Sequence, residues 1–287
     1  MIETFLFAGP QHGLSTIAFG LLGLLIGSFL NVVIYRLPKM YLREVDNFVA
    51  EQRQEPLPHQ DRFDLMLPRS ACPHCGHKIR ELENIPIISY LVIGGKCTGC
   101  KAKISVRYPL IEALTGLLTA GMIWHFGSGV VGMSAVVFVW FLIAMTFIDI
   151  DHKLLLDDLT LSLMWLGLLL NAYGGFATLK DAVLGAAIGY MSLWSINWIY
   201  EKLRGRPGFG YGDLKLLAAF GAWMGWSMLP VTILLSTLVG SVIGIGQIIS
   251  KKFGWETEIP FGPYLTGAGL IALIWGRQIV DFYLSTL

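Results

Sequence analysis

Charged side chains are scarce in this 287-residue chain. Asp, Glu, Lys and Arg make up 14% of the residues, whereas about a quarter is usual in a soluble domain. Hydrophobic residues account for 54%, and the mean hydropathy is +0.62. These values exclude an ordinary soluble globular protein and predict a polytopic membrane protein. The net charge of +1 and the clustering of basic residues in loops give no indication of a nucleic-acid partner.

Basic residues are also missing from the first eleven positions, which contain Glu3 but no Lys or Arg. A secretory signal peptide needs a basic start and a small-residue cleavage site. We therefore expect this N-terminal segment to be retained.

Long apolar runs dominate the rest of the chain. Each is interpreted as a membrane-spanning helix, because about 20 apolar residues cross the hydrocarbon layer. The eight runs are 14–35, 110–126, 130–150, 159–170, 181–200, 214–226, 229–249 and 261–275. The first ends at Arg36 and Pro38, and its Gly20, Gly23 and Gly27 are typical of close helix packing. The fold class is thus an all-α membrane protein of about eight spans.

The basic residues set the predicted topology. The long hydrophilic segment 37–107, the loop 202–206 and the pair Lys251-Lys252 are rich in Lys and Arg. By the positive-inside rule they face the cytoplasm, which places both termini on the outer side. We divide the chain into a first helical segment (1–36), a cytoplasmic loop (37–107) and a seven-helix membrane domain (108–287).

Only four cysteines occur, and all lie in the cytoplasmic loop. Cys72-Pro-His-Cys75 and Cys97-Thr-Gly-Cys100 form two knuckles separated by 21 residues. Four thiolates in this arrangement predict a closed tetrahedral zinc site within a small unit at about 69–107. A redox dithiol pair or an iron-sulfur site ranks lower. Because four sulfurs complete the shell, His74 and His77 are expected to be solvated.

Two acids lie where apolar runs meet polar chain. Asp149 ends the run 130–150, and Asp213 follows the alternate glycines of Gly208-Phe209-Gly210-Tyr211-Gly212. The topology places both at the cytoplasmic face, so they are interpreted as one site. Paired carboxylates can share a proton and activate water, which is aspartic protease chemistry. The plainer alternative is two unrelated interfacial acids neutralised by Lys153, Lys215 or water.

Other acids have plainer interpretations. Asp157 and Asp158 precede an apolar run and are expected to cap its helix, and Lys153 weakens a cation site built with Asp151. Glu112 is either a buried functional group or an acid stabilised by the dipole of its helix. Asn31 is interpreted as a polar contact to a neighbouring helix or a substrate group.

Gly210-Tyr211-Gly212-Asp213 looks like the GxGD signature of membrane aspartyl proteases. The chain resembles the type IV prepilin leader peptidases, which are bifunctional peptidases and N-methyltransferases. Further matching stretches are 27–38, the two knuckles with 84–90, 104–112, 148–152 and 260–263. The resemblance implies that Asp149 and Asp213 form the catalytic pair. Where the family usually has Leu-Leu-Pro-Asp, this chain has Leu154-Leu155-Leu156-Asp157.

The resemblance also implies substrates, cofactors and location. The substrate is the basic leader of a prepilin or type II secretion pseudopilin, cut on its cytoplasmic side after a glycine. The new N-terminal residue, usually phenylalanine, is methylated from S-adenosylmethionine. The enzyme is expected in the bacterial inner membrane, in contact with lipid and with pilus or secretion machinery as a possible partner.

The methyltransferase residues are not assigned. A glycine-rich strand-to-helix motif of soluble methyltransferases is missing, so the pocket is expected near the cytoplasmic loop, with Glu112 and Arg107 as plausible contacts.

Two other functions compete with the peptidase. A transporter would use Asp149 and Asp213 for protons or cations, and a zinc-stabilised scaffold would use neither. Replacing either acid by Asn distinguishes these three functions.

Overall fold

The computed structural model describes residues 10–205, 208–250 and 259–286. Within these ranges the regular structure is helical, with two isolated β-bridges, Ala71 to Lys78 and Lys96 to Lys103. The chain forms two compact units, Met1–Ala144 and Met145–Leu287.

The first unit contains helix α1 (Pro10–Gln52), a 3-10 helix (Glu81–Asn84), the short helix α2 (Ile88–Val92) and helix α3 (Arg107–Phe126). Helix α4 (Val130–His152) begins in this unit and ends in the second. Glycines of α1 lie directly against α3, and a Cβ on Gly27 would lie 2.7 Å from the Cα of Glu112. The predicted packing role of the α1 glycines is thus confirmed.

Helix α1 continues well beyond its apolar run. The run ends at Arg36 and Pro38, but the helix extends to Gln52 with Pro38 inside it. A proline inside a helix costs about 3 kcal/mol, and contacts with the returning chain offset this cost. Asn47 exchanges two hydrogen bonds with the backbone of His59, at 2.8 and 3.0 Å. The end of the apolar run therefore did not predict the end of the helix.

The second unit is built around one short helix. It contains α5 (Asp157–Ala172), α6 (Leu179–Arg204), α7 (Tyr211–Met224), a 3-10 turn (Trp226–Met228), α8 (Leu229–Ile249) and α9 (Gly262–Ser285). Helix α7 packs against α5 and α6, and from Asp213 to its end every residue except Lys215 is buried. An apolar helix surrounded in this way belongs to the core of the unit. Asp213 is therefore held by a rigid element.

Each of the eight predicted apolar runs coincides with a helix, α1 or one of α3 to α9. Among the described residues, four stretches are long and apolar enough to cross a membrane: Gly13–Gln52, Val130–His152, Leu179–Arg204 and Trp226–Gln247. Helices α5 and α7 have 16 and 14 residues, fewer than the roughly 20 a full span needs.

The predicted topology also relied on Arg206 and on Lys251-Lys252. The prediction that the N-terminal segment is retained relied on residues 1–9. All of these lie outside the described residues.

Candidate active site

Asp149 lies in the last turn of α4 and is 5% exposed. Its Oδ2 accepts a hydrogen bond of 2.9 Å from the backbone N–H of Gly262, the first residue of α9. The first N–H groups of a helix have no partner within the helix and favour an anion. A Cβ on Gly262 would lie 2.6 Å from the same oxygen, so the contact requires glycine. A hydroxyl pair, Thr146 with Thr266 at 2.7 Å, joins the two helices nearby.

Asp213 lies in the first turn of α7 and is 8% exposed. Its backbone N–H donates to the carbonyl of Gly210 at 3.1 Å. Its Oδ1 is buried and has no hydrogen-bond partner among the described residues. Leaving a buried polar atom unpaired costs free energy, so such atoms often mark functional positions.

The structure brings the two acids together. Phe209, in the loop before Asp213, contacts Phe261, which precedes Gly262, with ring centroids 5.5 Å apart. The loop before Asp213 therefore contacts the segment before Gly262, whose N–H binds Asp149. Asp149 also interacts electrostatically with Asp213. The predicted proximity is found within one compact unit, while the catalytic role stays a prediction.

The lysines proposed as neutralising partners behave differently from each other. Lys215 binds the carboxylate of Asp157 at 2.6 and 2.7 Å instead of reaching Asp213. Lys153 follows α4 and interacts electrostatically with Asp149. Asp157 was expected to cap α5, but Leu156 is the N-cap residue and Asp157 is the first helical residue. The capping prediction is wrong for Asp157, which lies inside the helix, and its carboxylate binds Lys215 instead.

Leu156 stands where the family usually has proline. Its φ of −72° and ψ of 139° match the backbone that proline favours, with φ near about −65°. The backbone at Leu156 thus has the conformation that a proline would favour, although the proline is missing. The neighbouring Leu155 lies against Gly212, where a Cβ would be 2.5 Å from the Leu155 Cβ. This contact explains why the residue before Asp213 is glycine.

One contributor to the site was missed by the sequence analysis. Asn197 of α6 is 2% exposed, and its Oδ1 accepts the N–H groups of Gly208 and Phe209 at 2.7 and 3.0 Å. A single amide within the apolar run 181–200 was the signal that could have identified it, because a buried polar group needs a specific partner.

The four cysteines form one cluster in the first unit, with all Sγ atoms within 4.8 Å of one another. Cys72 and Cys100 lie 3.8 Å apart, and Cys75 and Cys97 lie 3.9 Å apart. A zinc ion bound tetrahedrally at about 2.3 Å from each sulfur requires sulfur separations of about 3.8 Å. The residues therefore fit a four-sulfur metal site.

The backbone of both knuckles favours thiolates. The N–H groups of His74 and Cys75 donate to the sulfur of Cys72 and lower its pKa to about 7. The N–H groups of Cys100 and Gly99 lower the pKa of Cys97 in the same way. Metal binding requires deprotonated sulfur, which the backbone favours at Cys72 and Cys97, whereas the neighbouring Cys100 thiol raises the pKa of Cys75 to about 12.

Both His74 and His77 were expected to be solvated. His74 is exposed, but His77 is only partly exposed and has side-chain partners. The Nε2 of His77 lies 3.1 Å from Oε2 of Glu83 and 3.0 Å from the hydroxyl of Thr98. Thr98 also donates to Oε1 of Glu83 at 2.7 Å. Since Thr98 lies in the second knuckle, this network ties the two knuckles together. The sequence analysis missed both partners, Glu83 six residues away and Thr98 in the other knuckle.

Two family models match the chain and cover most of it. The Bacterial Peptidase A24 N-terminal domain matches residues 21–126, and the Type IV leader peptidase family matches residues 136–245. The chain belongs to the type IV leader peptidase family. The four cysteines lie in the first matched region, and Asp149, Asn197 and Asp213 lie in the second.

Named relatives are similar to this chain over nearly the full length. A prepilin leader peptidase/N-methyltransferase of Pseudomonas aeruginosa is 54% identical over 269 residues, 92% of each chain. Proteins with the same name from Aeromonas hydrophila and Burkholderia pseudomallei are 51% and 42% identical. These alignments cover 96% of this chain in both cases, and 96% and 92% of the respective relatives. No solved structure matches the chain.

Within the family's N-terminal region, Glu112 and Asn31 have structural partners. Glu112 is 8% exposed, and its Oε2 accepts the N–H of Ile87 at 2.8 Å. It lies in the second turn of α3, beyond the reach of the first-turn dipole effect. Asn31 donates to the carbonyl of Tyr108 at 3.2 Å, which confirms the predicted contact between helices.

Proposed function

We propose that the chain is a bifunctional membrane enzyme of prepilin maturation. It cleaves the leader peptide of type IV prepilins or type II secretion pseudopilins and N-methylates the new N-terminal residue. The names of relatives 42% to 54% identical over nearly the whole chain support both activities.

The observation that carries the peptidase proposal is the buried pair Asp149 and Asp213. One carboxyl group donates a proton to the leaving amide nitrogen while the other takes a proton from the attacking water. Asp149 is fixed by the N–H of Gly262, and Asp213 keeps one oxygen that has no partner within the described ranges of the chain. That oxygen is available to water or to the scissile peptide. Glycine at position 210 leaves room for an extended substrate backbone beside Asp213.

The proposed membrane arrangement uses α1 and α3 to α9 as eight spans. The active site then lies at the cytoplasmic face of the inner membrane, and both termini lie on the outer side. Segments 1–36, 37–107 and 108–287 form the first helix, the methyltransferase-associated loop and the protease domain. The four membrane-length helices and the basic loops support this arrangement. Pilus or secretion machinery is the proposed partner.

Two groups complete the proposed enzyme. Cys72, Cys75, Cys97 and Cys100 would hold a structural Zn²⁺, whose four sulfur ligands leave no open position for catalysis. S-adenosylmethionine supplies the methyl group when bound. The residues that bind it are not assigned.

The deciding experiment uses purified prepilin and the detergent-solubilised full-length enzyme. We expect Asp149→Asn and Asp213→Asn each to lower cleavage by at least about 100-fold, because neither variant can complete the proton transfers. Mass spectrometry of the product N-terminus, with S-adenosylmethionine present, measures cleavage and methylation together. Asp158→Asn, an exposed acid of α5, is the matched control and should cleave normally.

Each result has a direct interpretation. Full cleavage by either Asn variant would remove that aspartate from the mechanism. An unmethylated wild-type product would restrict the enzyme to a peptidase. Ion flux lost in both Asn variants, with no cleavage by wild type, would favour the transporter.

A further inference from the structure

Asn197 is a buried amide that holds the loop in front of Asp213. It lies about two turns before the end of α6 and is 2% exposed. Its Oδ1 accepts two consecutive backbone N–H groups, those of Gly208 and Phe209. One side-chain oxygen therefore satisfies two loop donors that have no helix to pair with.

The loop held by Asn197 reaches the surroundings of both acids. The carbonyl of Gly210 accepts the N–H of Asp213, and a Cβ on Gly210 would lie 3.4 Å from Oδ2 of Asp213. On the other side, the ring of Phe209 contacts Phe261, the residue before the Gly262 N–H that binds Asp149. A shift of this loop would therefore displace Gly210, which lies next to Asp213, and Phe261, which precedes the N–H that binds Asp149.

We infer that Asn197 is a positioning residue for the aspartyl pair. It acts through the loop 208–210, and this role rests on the proposed peptidase function. A carboxylate pair transfers protons efficiently only in a narrow geometry, and a displacement of about 1 Å can cost about 100-fold in rate. Without the Asn197 oxygen, the N–H groups of Gly208 and Phe209 lose their partner, and the loop must move to find water or another acceptor.

A purely structural amide in the same unit provides the matched control. Asn171 of α5 is 3% exposed, and its Nδ2 donates to the carbonyls of Ala222 and Trp223 at 2.7 and 2.9 Å. These carbonyls lie near the far end of α7, about 14 Å along the helix from Asp213 at 1.5 Å per residue. Asn171→Leu therefore removes an equally buried amide without touching the loop.

The experiment compares Asn197→Leu, Asn197→Asp and Asn171→Leu in the full-length enzyme in detergent. Leu has a similar shape and lacks the acceptor, whereas Asp keeps an oxygen in its place. We expect Asn197→Leu to lower kcat for prepilin by about 10-fold to 100-fold, with KM changed less than threefold. Its pH profile of kcat should also shift, because the interaction between the two carboxylates depends on their separation. Asn197→Asp should retain more activity than Asn197→Leu, and Asn171→Leu should keep the wild-type kcat and pH profile.

Hydrogen exchange of the peptide covering 208–214 gives a second readout that does not depend on cleavage. Asn197→Leu should accelerate exchange there, and Asn171→Leu should not. Unchanged exchange, a kcat within threefold of wild type, or an Asp variant no better than the Leu variant would overturn the inference. If wild type cleaves no prepilin but the exchange difference is found, the proposed function fails while the loop-holding role of Asn197 stands.

Discussion

The carboxylates of this protein differ mainly in the donors that surround them. Asp157 binds a lysine, Asp149 binds one backbone N–H, and Asp213 keeps an oxygen for which the described part of the chain offers no partner. All three were visible in the sequence as acids at the ends of apolar runs. The partners of each acid distinguish Asp157, which stabilises the fold, from Asp213, which has an oxygen available for chemistry.

Asp64 shows how local donors fix a carboxylate outside the membrane helices. Its Oδ2 accepts from Nε of Arg62 at 2.6 Å, and its Oδ1 accepts from the N–H groups of Met66 and Leu67 at 2.7 Å. The Arg62 side chain, followed by the backbone donors, lowers the pKa of Asp64 from 3.8 to about 2. The carbonyl of Asp64 also accepts from Arg36 at 2.9 Å, so this turn holds α1 at the end of its apolar run.

The depressed pKa of Asp64 predicts acid sensitivity of this turn. Its contribution to stability is complete above the unfolded pKa of 3.8 and is lost as the pH falls through about 2. Hydrogen exchange protection of the Met66 and Leu67 amides should therefore fall between about pH 4 and about pH 2. In Asp64→Asn, which keeps an oxygen acceptor but does not titrate, protection should not change over that range. Equal pH dependence in both proteins would assign the effect to another group.

At the scale of elements, α6 and α7 cross at Gly185 and Gly189 of α6 and Gly221 of α7. A Cβ on Gly221 would clash with the carbonyl group of Gly185, and a Cβ on Gly189 would lie 2.7 Å from the carbonyl oxygen of Leu217. The backbones are therefore in direct contact, as small residues permit between membrane helices. This contact fixes α7, and with it Asp213, against the helix that carries Asn197.

Gly221→Ala should separate these two helices. We expect a loss of about 1–3 kcal/mol in the free energy of unfolding, because an added methyl has no space at this contact. Thermal unfolding in detergent, followed by circular dichroism, measures the change. Gly267→Ala in α9, where nothing lies within 4 Å of the added Cβ, should be neutral or slightly stabilising. Equal melting temperatures for the two variants would contradict the close crossing.

At the scale of the whole molecule, the cysteine cluster and the two acids lie in different compact units. Metal binding to four thiolates contributes directly to folding free energy. The segment around the knuckles contains few other stabilising elements, only a 3-10 helix and the short α2. Its fold should therefore depend on the metal more than the helices of the second unit do.

Metal removal should affect the first unit selectively. After chelation, limited proteolysis should cut within 69–107 while residues 145–287 stay protected, and elemental analysis should show one zinc per chain before treatment. Cys97→Ser should reproduce the sensitivity to proteolysis, because it removes a ligand of the cluster. His74→Ala should not, because His74 is exposed. Resistance of the chelated protein to proteolysis would show that the cluster does not maintain this segment.

Much of the fold could be predicted because its signals are local. Eight apolar runs identified the positions of eight helices, and the CxxC spacing identified a cluster whose sulfurs do lie together. The end of α1 was not predictable in this way, because Asn47 and His59 hold it there by contacts outside the apolar run. The partner of Asp157 lies 58 residues away, and one of the two partners of His77 lies 21 residues away, so short patterns did not show these contacts.

The sequence by itself determined the class of protein, the positions of eight helices, the four clustered cysteines and the two acids, because hydropathy and short spacings act within a few residues. The tertiary structure alone decided that Gly262 binds Asp149, that Lys215 binds Asp157 and that Asn197 holds the loop of Asp213. These contacts join separate helices, and no local pattern encodes them. They form only when close packing brings each donor within hydrogen-bond distance of its acceptor.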